Sequence, residues 1–305
     1  MILKSLLALT LLMATAHAQS LKVLSYNIYR KPEPFGFGGS HAAKRVKRLC
    51  LELAKTDYDV VLLQEAWLAK DRKRLEKCGF PYVVNIGTKV PSRLPGRAAA
   101  NHREQNLESG LLILSRHKVI DSGRYEYKLD GSLWSIFKDG EKLASKAAYF
   151  AKIEAHGHSL WFVNTHLAAN YCKTYPRIDC NSYEALRESQ LEELSALVAK
   201  LDGPVVMGGD FNMGPSPISR DMAWLRFDDY FPGFAQANHD PAQNSTSSIL
   251  NNFNFYDMGK IDHLFGSSDL RLSQGELVFT QLMNIQGRSL HLSDHFGWQS
   301  VIHFD

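Results

Sequence analysis

Residues 147–167, AAYFAKIEAHGHSLWFVNTHL, decide the class of fold. Two apolar runs flank the short turn HGH at 156–158, and two such runs so close together predict a β-hairpin. The chain continues into a helical pattern at 182–200, where leucines recur at helical spacing, and then into another apolar run, PVVMGGDFN at 204–212. A hairpin followed by a helix and a further strand predicts an α/β fold with both hairpins and crossover connections.

The same alternation of strands and helices extends through the rest of the chain. A second helical pattern lies at 41–55, and the sequence contains no internal repeat. Two segments rich in turn residues, 88–106 and 229–257, predict long surface loops, which are often functional in enzymes; disorder is the alternative for the first. Further apolar runs have the length and composition of strands, at 21–29, 59–67, 110–115, 260–267 and 297–304.

The composition indicates a folded chain with a sizeable core. Of the 305 residues, 45% are hydrophobic and 22% are charged, which excludes a disordered chain and fits one large domain or two small ones. The formal net charge of +3 does not by itself indicate a nucleic-acid-binding protein.

The N-terminus has the pattern of a cleavable secretory signal. Lys4 precedes an apolar run at 6–13, and the small residues Ala16 and Ala18 follow it. This run is too short for an ordinary transmembrane helix, although an uncleaved anchor is the alternative. We therefore expect a signal peptide at 1–18 and an exported protein, secreted or periplasmic, at 19–305.

The four cysteines are expected to form disulfides, because disulfides persist in exported proteins. Cys172 and Cys180 flank a short polar segment whose closure would pin a loop, which favours this pair and leaves Cys50 with Cys78. A zinc site is the competing interpretation, but neither spacing resembles paired CxxC motifs.

Polar side chains suited to catalysis stand at the ends of the apolar runs. A polar residue at the end of one apolar run carries no weight, whereas polar residues at the ends of six runs indicate that the strand ends converge on one polar site. Carboxylates and carboxamides suit Mg²⁺, Mn²⁺ or Ca²⁺ rather than a thiolate zinc site, and histidines move protons near neutral pH. These residue types suit hydrolysis of a phosphate ester. The residues are Asn27, Glu65, Thr165, His166, Asp210, Asn212, Asp262, Asp294 and His295.

A set of short motifs resembles the endonuclease/exonuclease/phosphatase superfamily, which includes deoxyribonuclease I. The motifs follow the family's order and cover essentially the whole mature chain. The resemblance implies one catalytic domain at 19–305 with a four-layer α/β sandwich, in which two packed mixed β-sheets are flanked by helices. The motifs are SYN at 25–27, QEAW at 64–67, SGLLILS at 109–115, NTHL at 164–167, GGDFNM at 208–213, KIDHLF at 260–265 and LSDHFG at 292–297.

The resemblance also implies a role for each residue of the polar set. Taken alone, Asn27 would be an ordinary turn-capping residue and Asp262 an ordinary loop carboxylate. Within the family pattern, Glu65 would hold the principal Mg²⁺ with help from Asn27, and Asp294 would lie beside the metal or the water. Asn212 would bind substrate through a hydrogen bond to a phosphoryl oxygen. The implied catalytic residues are His166 and His295 as the acid/base pair, Asp210 as the residue that orients or deprotonates water, and Asp262 as the residue that orients His295.

Within the superfamily, the chain is most similar to the neutral sphingomyelinase branch. The segment at 131–154 followed by NTHL resembles these enzymes, in which a basic residue precedes the strand; Lys146 is the matching candidate for phosphate binding, and a solvated strand-edge lysine is the alternative. This branch implies phospholipase C-type cleavage of a phospholipid such as sphingomyelin at a membrane surface. The aromatic and basic segment around Trp134 would contact the bilayer, with core packing as the alternative; it contains Leu133, Trp134 and Phe137 beside Lys128, Lys138 and Lys142.

Two other functions fit parts of the sequence. An exported nuclease would use the basic clusters to follow a phosphate backbone, although most charged helix faces are merely solvated. A non-catalytic binding protein on the same scaffold is the third possibility, which the complete polar set disfavours. We expect a monomer without an obligate protein partner. The basic clusters are Lys44, Arg45, Lys47 and Arg48, then Lys70, Arg72, Lys73 and Arg74, and in the first long loop Arg93, Arg97 and Arg103.

Overall fold

The structure is a computed structural model. It describes residues 19–30, 41–85, 109–129, 145–169, 180–215, 221–237 and 245–304.

The described residues form fifteen strands and five helices. The strands are β1 Gln19–Asn27, β2 Val60–Gln64, β3 Tyr82–Val84, β4 Leu112–Ser115, β5 Lys118–Glu126, β6 Ala147–Ala155, β7 His158–His166, β8 Val205–Asp210, β9 Ala235–Gln236, β10 Asp262–Gly266, β11 Arg271–Leu272, β12 Glu276–Val278, β13 Met283–Ile285, β14 Arg288–Leu290 and β15 Gly297–Phe304. The helices are α1 Ala42–Leu53, α2 Ala69–Leu75, α3 Cys180–Val198, α4 Met222–Leu225 and α5 Phe227–Tyr230.

Two mixed sheets contain most of these strands. The first has the order β11-β15-β1-β2-β4-β3, with β12 also paired to β15, and the second has the order β5-β6-β7-β8-β10-β9. β1 and β2 run parallel in the first sheet, as β7 and β8 do in the second, and the other pairs are antiparallel. The predicted hairpin is β6 and β7, and α3 makes the crossover from β7 to β8.

The packing has four layers. A core between the sheets includes Leu62 of β2, Phe162 of β7 and Trp298 of β15. The helices α1 and α2 cover the outer face of the first sheet, where Leu49 and Leu75 are buried, and α3 covers the outer face of the second. The predicted four-layer sandwich is therefore confirmed.

Strand periodicity explains why the polar residues gather between the sheets. In β1, Leu21 and Val23 face the second sheet, and successive side chains of a strand alternate between faces, so Asn27 points the same way. In β7, Phe162 and His166 are an even number of residues apart, so their side chains also lie on the same face. Asp210 faces His166 across the parallel pair β7 and β8 and is also paired with Asp262 across β8 and β10. These residues all lie at one edge, where the parallel strands end.

Several sequence predictions fall on the described residues. The helical patterns at 41–55 and 182–200 correspond to α1 and α3, and a disulfide joins Cys50 to Cys78 as predicted. The side chains of Cys172 and Cys180, the signal peptide and the loop at 88–106 lie outside the described residues. None of the described helices has the length and apolar character needed to cross a membrane.

Candidate active site

Asp210 is the centre of the polar cluster. One of its oxygens, Oδ2, accepts a 2.9 Å hydrogen bond from Nδ2 of Asn27, which belongs to the opposite sheet. The same oxygen lies 3.4 Å from Nε2 of His166 and 3.8 Å from Nε2 of His295. The other oxygen, Oδ1, accepts a hydrogen bond of 2.9 Å from the backbone N–H of Asn212. A single buried carboxylate thus links both sheets and both predicted catalytic histidines.

A glycine allows Asp210 to take this position. Gly209 has φ +147°, which L side chains rarely adopt, and a Cβ atom on it would lie 2.0 Å from the carbonyl oxygen of Thr165. The GGDFN motif therefore needs glycine here for β8 to approach β7 closely enough to set Asp210 beside His166.

The second carboxylate at the site holds His295. Nδ1 of His295 lies 2.7 Å from Oδ2 of Asp262, and both side chains are buried. Asp294 lies on the other side of the ring, with its Oδ1 at 3.9 Å from Nε2. A histidine bound through Nδ1 to a carboxylate has its orientation fixed and presents Nε2 to the site, which suits a proton donor.

The pKa values of Asp210 and His295 are both raised, for different reasons. Burial raises the pKa of Asp210 to about 7, and the nearby Asp262 carboxylate adds to the rise, while His295 and Lys146 oppose it. Burial alone would lower the pKa of His295, but the carboxylates of Asp262, Asp210 and Asp294 outweigh it and raise the pKa well above its usual value. The surroundings thus favour the charged imidazolium form of His295 near neutral pH and make Asp210 a weaker acid than an ordinary carboxyl.

Glu65 occupies a strained position directly after β2. Its φ is +60°, in the left-handed region that costs free energy for a residue with a side chain. The turn is held because the N–H of Ala66 donates to the carbonyl of Gly110 at 2.8 Å. Gly110 has φ +69°, and a Cβ atom on it would lie 2.9 Å from the ring of Trp67. The QEAW and SGLLILS motifs therefore pack together and fix the Glu65 turn, with Trp67 6.1 Å from the ring of His166.

The segment that carries Asp294 and His295 is bound to β1. Oγ of Ser293 donates to the carbonyl of Asn27 at 2.6 Å and accepts from the N–H of His295 at 3.2 Å. The carbonyls of residues 293 and 294 accept hydrogen bonds from Asn251 at 2.8 Å and from Asn254 at 2.7 Å. These contacts place Asp294 and His295 against the end of the first sheet.

The donor set fits a divalent cation at Glu65. Oε2 of Glu65 is buried, and within the described part of the chain it has no hydrogen-bond partner, as expected for an oxygen that binds a metal. Oδ1 of Asn27 accepts the N–H of Tyr29 at 3.0 Å and keeps a second lone pair. Oxygens of carboxylates and carboxamides, the side-chain types of Glu65, Asn27 and Asp294, are the donors that Mg²⁺ prefers, and the role of these three residues as ligands stays a prediction.

Another group of side chains meets the distance requirement for a metal, among the residues that the structure describes. The ligand atoms of Asp210, Asp262 and His295 lie within 4.8 Å of one another. Oδ2 of Asp262 lies 2.7 Å from Nδ1 of His295 within this group, an arrangement that also suits proton transfer.

Lys146 and Asn212 border the cluster. Lys146 is only 2% exposed, which contradicts the alternative of a solvated lysine, and its charge lowers the pKa of Asp210. Asn212 adopts φ +51° and donates from Nδ2 to the carbonyl of Leu167 at 2.9 Å, which leaves one of its two amide hydrogens for a ligand. Their roles in phosphate binding stay predictions.

The basic clusters need correction, because two of their arginines point inward. Arg45 is 1% exposed and donates to the carbonyls of Tyr29 at 2.9 Å and Leu292 at 2.6 Å. Arg72 is also buried and donates to the carbonyl of Trp67 at 2.7 Å. Both support loops of the site instead of following a phosphate backbone. Arg93, Arg97 and Arg103 lie outside the described residues.

Sequence reasoning missed several supporting residues. Arg45 stands in helical register with the buried Ala42, Val46 and Leu49, and this spacing is the signal that would have placed it on the inner face of α1. Asn251 and Asn254 carried no such signal, because nothing in a loop sequence shows which distant carbonyl an amide will bind.

The family follows from comparison with known proteins. Residues 24–295 match the profile of the Endonuclease/Exonuclease/phosphatase family, and the chain belongs to this family. It is 27% identical to an inositol phosphosphingolipids phospholipase C from Schizosaccharomyces pombe, over 95% of this chain and 70% of the relative. It is 24% identical to a putative neutral sphingomyelinase from Caenorhabditis elegans, over 94% of this chain and 68% of the relative.

Solved structures show the same fold. A beta toxin from Staphylococcus aureus with bound magnesium ions aligns with a TM-score of 0.66 at 18% identity, covering 94% of this chain and 100% of that one. A Danio rerio TDP2 in complex with a single-strand DNA product aligns with a TM-score of 0.65 at 16% identity, covering 93% and 98%. With the family and its relatives, the site defines a phosphodiester hydrolase similar to sphingomyelin phosphodiesterases.

Proposed function

We propose that the chain is an exported, Mg²⁺-dependent phosphodiesterase that cleaves a phospholipid such as sphingomyelin in the manner of a phospholipase C. The observation that carries the proposal is the buried imidazolium of His295, held by Asp262 and facing the carboxylate of Asp210. A proton donor and a proton acceptor that meet at one small buried site are what hydrolysis of a phosphodiester needs.

The proposed reaction moves two protons and exchanges one bond. A water oxygen attacks phosphorus and gives a proton to Asp210, whose pKa of about 7 allows it to act as a base near neutral pH. The bond from phosphorus to the oxygen of the lipid alcohol breaks, and that oxygen takes the proton from Nε2 of His295. The products are the lipid alcohol and the phosphorylated headgroup.

Other residues position these groups. Asp262 keeps Nδ1 of His295 occupied, so only Nε2 donates into the site. Asn27 donates to Oδ2 of Asp210 and thereby directs the carboxylate toward the two histidines. His166, 3.4 Å from the same oxygen, is placed to donate to a phosphoryl oxygen. A divalent cation held by Glu65, with Asn27 and Asp294, would offset the negative charge that grows on the phosphoryl oxygens.

Lipid is preferred over nucleic acid as the substrate for two reasons. The relatives that match over most of the chain bear the names of phosphosphingolipid phospholipase C and neutral sphingomyelinase. In addition, the burial of Arg45 and Arg72 removes two of the charges that a nucleic-acid backbone would need. Nucleic acid is kept as the alternative substrate, since the same fold occurs in TDP2 bound to DNA.

The test compares sphingomyelin vesicles with plasmid DNA, each with Mg²⁺ and with a chelator. We expect release of phosphocholine that needs Mg²⁺ and is lost in His295→Ala. His117→Ala is a matched control, because His117 also contacts an aspartate, Asp59, at 2.7 Å, but lies away from the cluster. Nicking of DNA together with intact lipid would overturn the substrate assignment, and full activity of His295→Ala would overturn the mechanism.

A further inference from the structure

The segment 245–259 exposes an unusual number of large apolar side chains. Phe255 is 86% exposed and Leu250 is 80% exposed, and their neighbours Tyr256 and Ile249 are 59% and 57% exposed. Side chains of this size are normally buried, and their concentration in one short segment marks an interaction surface. We call these four residues the apolar tip.

The backbone beneath the apolar tip is ordered by polar contacts. Asn254, between the two exposed pairs, donates from Nδ2 to the carbonyls of Asp294 at 2.7 Å and Ser248 at 3.0 Å. Asn251 donates to the carbonyl of Ser293 at 2.8 Å. The exposed pairs therefore stand on a braced turn, which holds them in a defined place.

The same segment is also bound to the start of β10, which carries Asp262. Oγ1 of Thr246 accepts the backbone N–H groups of Ile261 and Asp262, both at 3.1 Å, and its carbonyl accepts the N–H of Phe296 at 2.7 Å. Residues 245–259 thus contact the backbone on both sides of the Asp262 and His295 pair. The segment that carries the apolar tip is therefore attached beside the Asp262 and His295 pair.

The charged residues of the segment 245–259 indicate which kind of partner the apolar tip can bind. Residues 245–259 contain no lysine or arginine and one carboxylate, Asp257. Oδ1 of Asp257 is bound by Oγ of Ser245 at 2.6 Å and the N–H of Gly259 at 2.9 Å. An apolar surface with no cations does not match an anionic polymer or strongly anionic lipid, and it matches a bilayer entered by apolar side chains.

We propose that the apolar tip inserts into the interface of a phospholipid bilayer and thereby sets the active site against the lipid headgroups. This proposal rests on the proposed function for its substrate, because a phosphodiester at the bilayer surface is reached only if the rim of the site meets the membrane. It assigns the membrane contact to Ile249, Leu250, Phe255 and Tyr256, which are distinct from the predicted segment around Trp134 outside the described residues.

The test is vesicle binding by the double variant Leu250→Ser/Phe255→Ser. Binding to vesicles of phosphatidylcholine and sphingomyelin is measured by co-sedimentation in the His295→Ala background, so that no lipid is consumed. The protein with an unchanged apolar tip is expected to bind vesicles with little dependence on salt. The double variant is expected to bind them at least about tenfold more weakly, since each apolar side chain transferred from water contributes roughly a factor of ten to the vesicle affinity. Leu51→Ser/Leu225→Ser is the matched control, because these leucines are 51% and 52% exposed but lie on the outer helices.

Activity measurements separate this proposal from the proposed function. With His295 intact, the double variant should lose vesicle hydrolysis in proportion to binding and keep turnover of a small soluble phosphodiester within about twofold. Unchanged vesicle binding or hydrolysis in the double variant overturns the docking surface and leaves the proposed function standing. Vesicle binding that depends on the apolar tip, without lipid cleavage, supports the surface and overturns the substrate. Concentration-dependent self-association that the double variant abolishes would instead assign the surface to a second copy of the chain.

Discussion

Asp262→Asn is the substitution that most directly tests how the site makes an acid. The change keeps the size of the side chain and removes the charge that lies 2.7 Å from Nδ1 of His295. Both groups are buried, so solvent does not screen the loss. Without this carboxylate the pKa of His295 falls, because burial still lowers it while the largest of the charges that raise it is lost.

The expected loss of rate follows from the role of His295 as a general acid. A positioned acid contributes about 10²- to 10⁴-fold, which corresponds to about 3 to 5 kcal/mol of transition-state stabilisation. The loss should depend on pH, because the variant still carries its proton in acid. On the alkaline side, the wild-type rate falls as the pH rises through the raised pKa of His295, whereas in Asp262→Asn this fall moves to lower pH. On the acid side, the rate of the wild type falls as Asp210 becomes protonated. The difference between the two proteins therefore widens from weakly acidic to alkaline pH.

The assay is the pH dependence of kcat on a small soluble phosphodiester at saturating Mg²⁺, together with the NMR titration of His295. Asp59→Asn is the matched control, since Asp59 contacts His117 at the same 2.7 Å outside the site, and its pH profile should equal that of the wild type. A rate loss of equal size at every pH, with an unmoved His295 titration, would refute the argument and reduce Asp262 to a structural residue.

Three further predictions follow from the same contacts. Glu65→Gln should raise the Mg²⁺ concentration for half-maximal activity by about tenfold or more and abolish the rise of Tm on adding Mg²⁺, because the buried Oε2 loses its charge; calorimetric titration that shows unchanged Mg²⁺ affinity would exclude Glu65 as a ligand. Asp210→Asn should abolish turnover and, in the presence of a chelator, raise Tm at pH 8 by a few degrees. The pKa of Asp210 is raised from 3.8 to about 7 in the folded state, so its ionisation lowers the free energy of unfolding as the pH rises through this range. A lower Tm for the variant at pH 8 would contradict this argument. Replacing both Cys50 and Cys78 with serine should lower the free energy of unfolding by roughly 3 to 4 kcal/mol, as the loop-closure model gives for a separation of 28 residues. Urea denaturation measures this change, and an unchanged free energy of unfolding would show that the disulfide constrains the unfolded chain little.

Much of the fold could be predicted because it depends on local patterns. Alternation of side chains in β7 places Phe162 and His166 on one face whatever the rest of the chain does, and the leucine spacing in α3 defines its buried side. The residue types of the site were also visible, since Asn27, Glu65 and Asp210 each end an apolar run, and parallel strands end at a shared edge.

Through-space contacts decided what these patterns could not. Whether Arg45 is solvated or buried depends on carbonyls of the opposite loop, 247 residues away at Leu292, and this contact removed it from the predicted basic surface. The strand-edge position of Lys146 likewise gave no sign that it would be buried.

The sequence by itself determined the alternation of strands, the helical faces and the chemical types of the catalytic residues, because these depend on neighbours a few positions apart. Only the tertiary structure decided that the pKa of His295 is raised and where the apolar tip stands. A pKa depends on burial and on charges brought close in space: Asp262 is 33 residues from His295 and Asp210 is 183 residues from Asn27. The tip is placed in the same way, by hydrogen bonds from Asn251 and Asn254 to carbonyls about 40 residues further along the chain.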